Sequence, residues 1–142
     1  HIPYMAAILI CVPTPLGVHN EPDLSYIHST LQSIKPHLTE NQLLILESTT
    51  YPGTTEEEIV PVVEKAGFKI GTNFFVGYSP EREDPGNKNF SMQSIPKVVS
   101  GHSQECLSIG VALYESIIDQ IESEFKHTYC GRAFRVYFGG PF

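Results

Sequence analysis

The chain is poor in basic residues. Nine Lys and Arg stand against 16 Asp and Glu, giving a net charge of -7 and a pI near 5.3. A surface of that sign repels phosphate backbones and anionic lipid, which argues against nucleic acid and membrane as partners. Long apolar runs are also missing. No stretch reaches the roughly 18 consecutive apolar residues that a membrane-spanning helix needs. The opening residues, His1-Ile2-Pro3-Tyr4-Met5, carry no basic segment of the secretory kind. Cysteine is scarce, with Cys11, Cys106 and Cys130 far apart. An odd, scattered set excludes a disulfide framework and fits a reducing, cytoplasmic compartment. The six histidines do not cluster, and His19, His28 and His37 do not share a helix face, so no metal site is expected. Three nucleotide and nucleophile signatures are absent as well: G-x-G-x-x-G, G-x-x-x-x-G-K-[ST] and G-x-S-x-G.

What remains is a 142-residue chain with 41% apolar residues, enough for the core of one domain or part of one. Ala6 to Val12 is a continuous apolar run stopped by Pro13, which predicts a strand buried on both faces, with Cys11 as inert packing inside it. Asp23 is placed to cap a helix over Leu24 to Ile34, whose Leu24, Ile27, Leu31 and Ile34 make one apolar stripe. Leu43 to Leu46 is a second buried strand. Thr54 or Thr55 then caps a helix with Glu56, Glu57 and Glu58 in its first turn, where the helix dipole favours acids. Pro61 belongs in the first turns of that helix and Gly67 at its end. Phe74 to Ser79 is a third strand. Ile95 to Gly101 is a fourth, whose early Pro96 suggests an edge position or a strand start. Ser103 caps a last helix carrying Leu107, Val111, Leu113, Ile117 and Ile118. The order β-α-β-α-β-β-α predicts an α/β domain with a parallel sheet. From Ile121 the character changes, and a hairpin with a strand over Ala133 to Phe138 is the only element suggested there.

Polar loops follow three of these strands. Pro13-Thr14-Pro15 follows the first, Glu47 to Thr55 the second, and Tyr78-Ser79-Pro80-Glu81-Arg82-Glu83-Asp84-Pro85-Gly86-Asn87 the third. Parallel strands place these loops on one rim, where α/β proteins bind ligands. Hydroxyls and loop N–H groups suit phosphate and sugar oxygens. Glu81 or Glu83 has the chemistry of a general base. Two readings stand for several of these residues. Arg82 holds an anionic ligand or pairs with Glu83 or Asp84, and an exposed pair stabilises by only about 0–1 kcal/mol. Thr49 contacts a ligand or closes a hydroxyl turn.

Four stretches in order resemble the UDP-glucose/GDP-mannose dehydrogenase family. They are Ile10 to Leu16, Glu47 to Thr55, Tyr78 to Asn87 and Ile95 to Gly101. The branch they look closest to is bacterial UDP-N-acetylglucosamine 6-dehydrogenase, which serves surface-polysaccharide synthesis. The resemblance implies a Rossmann-like domain with NAD as cofactor. It also implies oxidation of the C6 hydroxyl of a UDP-sugar to a carboxylate through an aldehyde and a cysteine thioester. By position, Val12, Pro13 and Thr14 would line the NAD site. Thr49 would hydrogen-bond near the reacting centre, and Glu81 would handle water and proton in hydrolysis. Arg82, Glu83, Asp84 and Gly86 would border the sugar nucleotide. Family members form homo-oligomers through a central domain. The family's glycine-rich loop, oxyanion lysine and asparagine, and nucleophilic cysteine segment have no counterpart here. Residues 1–120 therefore read as the second half of the NAD-binding domain and 121–142 as a tail unlike the family. The chain alone is expected to be inactive. The alternative reading is a non-catalytic α/β module that acts by binding protein.

Overall fold

The computed structural model describes residues 1–17, 21–80 and 98–116, and the backbone alone of 125–127 and 134–137. Strand β1 is Ala7–Ile10, β2 Leu43–Leu46, β3 Phe75–Tyr78 and β4 Val98–Gly101; β5 is Phe125–His127 and β6 Phe134–Tyr137. The helices are α1, Ser25–Ile34, α2, Val60–Lys65, and α3, Gln104–Glu115. The sheet order is β1-β2-β3-β4-β6-β5. Strands β1, β2 and β3 run parallel, with Ile10 opposite Leu46 and Leu46 opposite Tyr78. The sheet is thus mostly parallel among its first strands, as the alternation of elements predicts.

The fourth strand departs from that expectation. β4 is antiparallel to β3 and pairs on its other side with β6, so it is an interior strand rather than an edge. Pro96 lies outside the described residues, and Pro would be disruptive only inside the ladder. The hairpin suggested at the end of the chain is present as β5 paired antiparallel with β6.

Two apolar layers sandwich the sheet. On one face Ile27, Leu31 and Ile34 of α1 pack with Ile59 and Val63 against Ile10, Leu44, Leu46 and Val76. Burying each such side chain is worth about 1.5–3 kcal/mol. On the other face Leu107 and Tyr114 of α3 cover Leu43, Ile45 and Val99. Both parallel crossovers therefore lie on one face and α3 on the other.

β1 is an edge strand in this sheet, and that overturns its expected burial on both faces. Leu9 is 40% exposed, because α3 covers β2 to β4 but not β1. Cys11 lies one residue beyond β1 and is exposed, not packed; its thiol is 3.6 Å from a Glu47 oxygen. Cys106 is buried. Its Sγ accepts from the Val76 N–H at 3.4 Å, a ladder donor that β4 does not reach.

Local chemistry sets the helix ends. α1 begins at Ser25, one residue later than expected, and Asp23 Oδ1 accepts the Ser25 N–H at 2.9 Å. That backbone bond holds the Asp23 carboxyl below its usual range. The second helix opens with a widened π turn, Thr55–Ile59, in which Val60 N–H bonds back to Thr55. The wide turn leaves Pro61 in the first turn of α2, where its missing N–H costs nothing. Thr54 does not cap: its hydroxyl donates to the Tyr51 carbonyl at 2.8 Å. Gly67 ends the helix at φ +96°, as a left-handed stop requires. Ser103 caps α3 through the Cys106 N–H at 3.3 Å.

Candidate functional site

The carboxyl ends of β1, β2 and β3 share one rim. The ladder runs one residue past each strand: Glu47 N–H bonds to the Ile10 carbonyl at 2.8 Å and Ser79 N–H to the Leu46 carbonyl at 2.9 Å. Ser48 then turns toward the β1 loop. Its hydroxyl accepts the Val12 N–H at 3.1 Å and donates to the Val12 carbonyl at 2.8 Å. With 4% exposure, Ser48 is a buried clamp between two loops. The Thr14 hydroxyl donates to the Thr49 carbonyl at 2.6 Å and closes the same pair of loops further out.

The structure thus brings Val12, Pro13 and Thr14 together with Thr49. Val12 and Thr14 are half-buried, while Pro13 and the Thr49 side chain are exposed on the rim. Glu81, Arg82, Glu83, Asp84 and Gly86 lie outside the described residues. Ser79, the residue before Pro80, is fully buried, and its hydroxyl has no hydrogen-bond partner among the described residues. Among the described residues no group of three or more acidic, histidine or cysteine side chains is placed to hold a metal. None of their helices is long and apolar enough to cross a membrane.

Behind the rim, the three consecutive glutamates each take a partner from a different element. Glu56 bonds to His102 at 2.8 Å, Glu57 accepts from the Tyr51 hydroxyl at 2.9 Å, and Glu58 bonds to His28 at 2.7 Å. They tie the start of the helix to the β4–α3 turn, to the rim loop and to α1. Gly53 takes φ +103° in that loop, and a Cβ there would lie 3.2 Å from the Glu57 carboxylate. The Glu57 hydrogen bond stabilises the protonated phenol, so Tyr51 is held above its ordinary value of 10.0.

A pH dependence follows. A group raised in the folded state stabilises below its unfolded value and loses that contribution as pH rises through the folded value. The stability difference between the protein and Tyr51→Phe should be constant from neutral pH to about 10, then vanish above it. The difference should stay below about 1 kcal/mol, since the pair is exposed. Urea melts at a series of pH values measure it; a difference that grows above pH 10 would contradict the assignment.

Ser48 and Ser79 are the rim residues that local sequence does not mark. Both are serines at the ends of apolar strands, and side-chain alternation is the one signal that turns Ser48 inward two residues after Leu46.

Helices on both faces of a sheet whose first three strands run parallel, with hydroxyl-bearing turns at their carboxyl rim, define a dinucleotide-binding α/β domain of Rossmann type. Comparison with known proteins narrows the class. Residues 1–118 match the NAD binding domain of the UDP-glucose/GDP-mannose dehydrogenase family. The chain belongs to that family. It is 46% identical over 112 residues to Protein CapL of Staphylococcus aureus, covering 78% of this chain and 26% of CapL. It is 44% identical over 111 residues to the UDP-N-acetyl-D-glucosamine 6-dehydrogenase of Pseudomonas aeruginosa, again covering 78% and 26%. The solved UDP-N-acetyl-mannosamine dehydrogenase Cap5O from Staphylococcus aureus superposes with a TM-score of 0.74 at 30% identity, covering 80% of this chain and 28% of Cap5O. The chain spans about a quarter of the length of the curated relatives it matches.

The rim fits the family's cofactor, NAD. The cradle offers the Thr14 and Thr49 hydroxyls and turns rigidified by proline, and it carries the buried Ser79 hydroxyl, which has no partner among the described residues. No lysine or arginine lies on the described part of the rim.

Proposed function

We propose that this chain serves an NAD-dependent nucleotide-sugar 6-dehydrogenase that oxidises the C6 hydroxyl of a UDP-N-acetylglucosamine-like sugar, in the cytoplasm, for surface polysaccharide. Residues 1–120 supply part of the NAD-binding domain, and 121–142 form a tail outside the family pattern. The observation that carries the reading is the paired rim, Thr14 bonded to the Thr49 carbonyl and Ser48 clamping Val12, inside a segment matched to the NAD binding domain. NAD, when bound, supplies the hydride acceptor. Val12, Pro13 and Thr14 border it, and the exposed Thr49 hydroxyl orients the reacting group of the sugar. Glu81 takes up the proton or positions a water, and Arg82, Glu83, Asp84 and Gly86 border the sugar nucleotide. A homo-oligomer is the assembly proposed for the complete enzyme.

A graft tests this. Residues 7–116 replace the matching segment of the Pseudomonas aeruginosa UDP-N-acetyl-D-glucosamine 6-dehydrogenase, which is 44% identical to this chain. The chimera is expected to reduce NAD with UDP-N-acetylglucosamine, and Glu81→Gln in it should lower kcat at least ~100-fold. A folded chimera that reduces no NAD would sink the proposal. The 142-residue chain by itself is expected to form no NADH.

The second reading is a non-catalytic α/β module that acts by binding protein. Specific capture of one partner by the chain, together with a dead graft, would favour that module.

A further inference from the structure

The register that builds the rim also makes a second row of side chains, on the α3 face. Ile45 packs in the layer under α3, and Leu46 packs in the opposite layer. Alternation therefore turns Glu47 to the α3 face. Val76 and Tyr78 pack opposite α3, so Ser79 shares the face of Glu47. Ile8 and Ile10 do the same for β1, which puts Cys11 in line. Cys11, Glu47 and Ser79 thus stand side by side on adjacent strands, about 4.8 Å apart per strand. The Cys11 thiol donates to Glu47.

Ser79 is the anomaly in that row. It is 0% exposed and its Oγ has no partner among the described residues, although its backbone N–H is bonded. An unpaired buried hydroxyl is a net cost, and an alanine would fill the place without one. Its neighbours Glu47 and Pro80 are only half-buried, so the hydroxyl lies one residue beneath the rim surface.

We propose that Ser79 and Glu47 together receive a primary carboxamide. The Ser79 hydroxyl donates to the amide oxygen, and the Glu47 carboxylate accepts an amide N–H. A carboxamide presents acceptor and donor side by side, which matches a hydroxyl and a carboxylate on neighbouring strands. In an NAD-binding domain the ligand that carries this group is NAD itself, through its nicotinamide ring. The inference rests on the NAD reading and adds which residues fix the ring.

Calorimetric titration of the purified chain with NAD⁺, ADP-ribose and deamido-NAD⁺ tests it. ADP-ribose lacks the nicotinamide, and deamido-NAD⁺ carries a carboxylate that Glu47 repels. The unaltered chain should bind NAD⁺ more tightly than deamido-NAD⁺. Ser79→Ala should weaken NAD⁺ about tenfold and leave ADP-ribose unchanged. Without ligand it should melt at the same temperature as the unaltered chain or higher. Equal loss for NAD⁺ and ADP-ribose, or no loss for either, overturns the assignment. So does a lowered melting temperature with both affinities intact, which would mark a hydroxyl that holds a buried water for stability. If the unaltered chain binds ADP-ribose but shows no preference for the carboxamide, this inference fails and the NAD reading stands. If neither the chain nor the chimera carrying residues 7–116 binds any of the three ligands, both fail.

Discussion

Gly101→Ala should cost about 3 kcal/mol of stability, near the upper end for an overpacked core. A Cβ at this position would sit 2.7 Å from Leu107 Cα and 2.8 Å from the Cys106 carbonyl carbon. Both are backbone atoms of α3, so no rotamer change relieves the contact. The helix cannot back away cheaply. Its first turn is fixed by the Ser103 cap and the Val76–Cys106 bond, and its Leu107 and Tyr114 fill the layer against Ile45 and Val99. The strand cannot retreat either, because β4 is paired on both sides. Gly101 at the end of β4 is therefore the point of closest approach between sheet and helix. Gly110 lies further along the same seam, where a Cβ would meet Val99 Cγ1 at 3.2 Å, a softer contact with a side chain. Gly110→Ala should cost less than Gly101→Ala. Urea denaturation compares the two, and a Gly101→Ala protein within about 0.5 kcal/mol of the parent would refute the packing argument.

The second large effect belongs to Ser48. Ser48→Ala should cost about 1–3 kcal/mol, because it strands the Val12 N–H and carbonyl without replacing them by apolar groups. The loss is local as well as global. The Val12 amide should exchange with solvent faster by more than the change in global stability explains, since the clamp holds the β1 loop against the β2 loop. Binding of NAD by the rim should weaken in parallel, because Thr14 is held by the same two loops. A Val12 amide equally protected in Ser48→Ala would show that the Thr14–Thr49 bond alone holds the rim.

The sequence made the parallel strands legible because each is an apolar run between breakers. Leu43 to Leu46 matches β2 residue for residue. The Ser103 cap and Gly67 stop were equally legible, since capping chemistry is local. Three features were not. Leu9 reads like Ile45, and only the order of strands tells that one is at an edge and the other central. The antiparallel direction of β4 leaves no mark in Val98-Val99, since a buried strand is apolar whichever way it runs. Thr54 carries a capping side chain, yet the wide π turn after it turns the hydroxyl back to Tyr51. For the candidate site, prolines and hydroxyls marked the loops of Thr14 and Thr49, and the family resemblance added Val12 and Pro13. The Ser48 clamp and the orphaned Ser79 hydroxyl depend on which face each residue takes, and that is settled by packing.

Cys106 gives the seam between β3 and α3 a chemical reporter. Its sulfur is engaged by the Val76 N–H and sealed from solvent, while the Cys11 sulfur stands in the open. Of the two cysteines among the described residues, an alkylating reagent therefore meets Cys11 at once and Cys106 only when α3 lifts from the sheet. The lag between the two modifications is a clock for that opening, with Cys11 as the internal standard for the reagent.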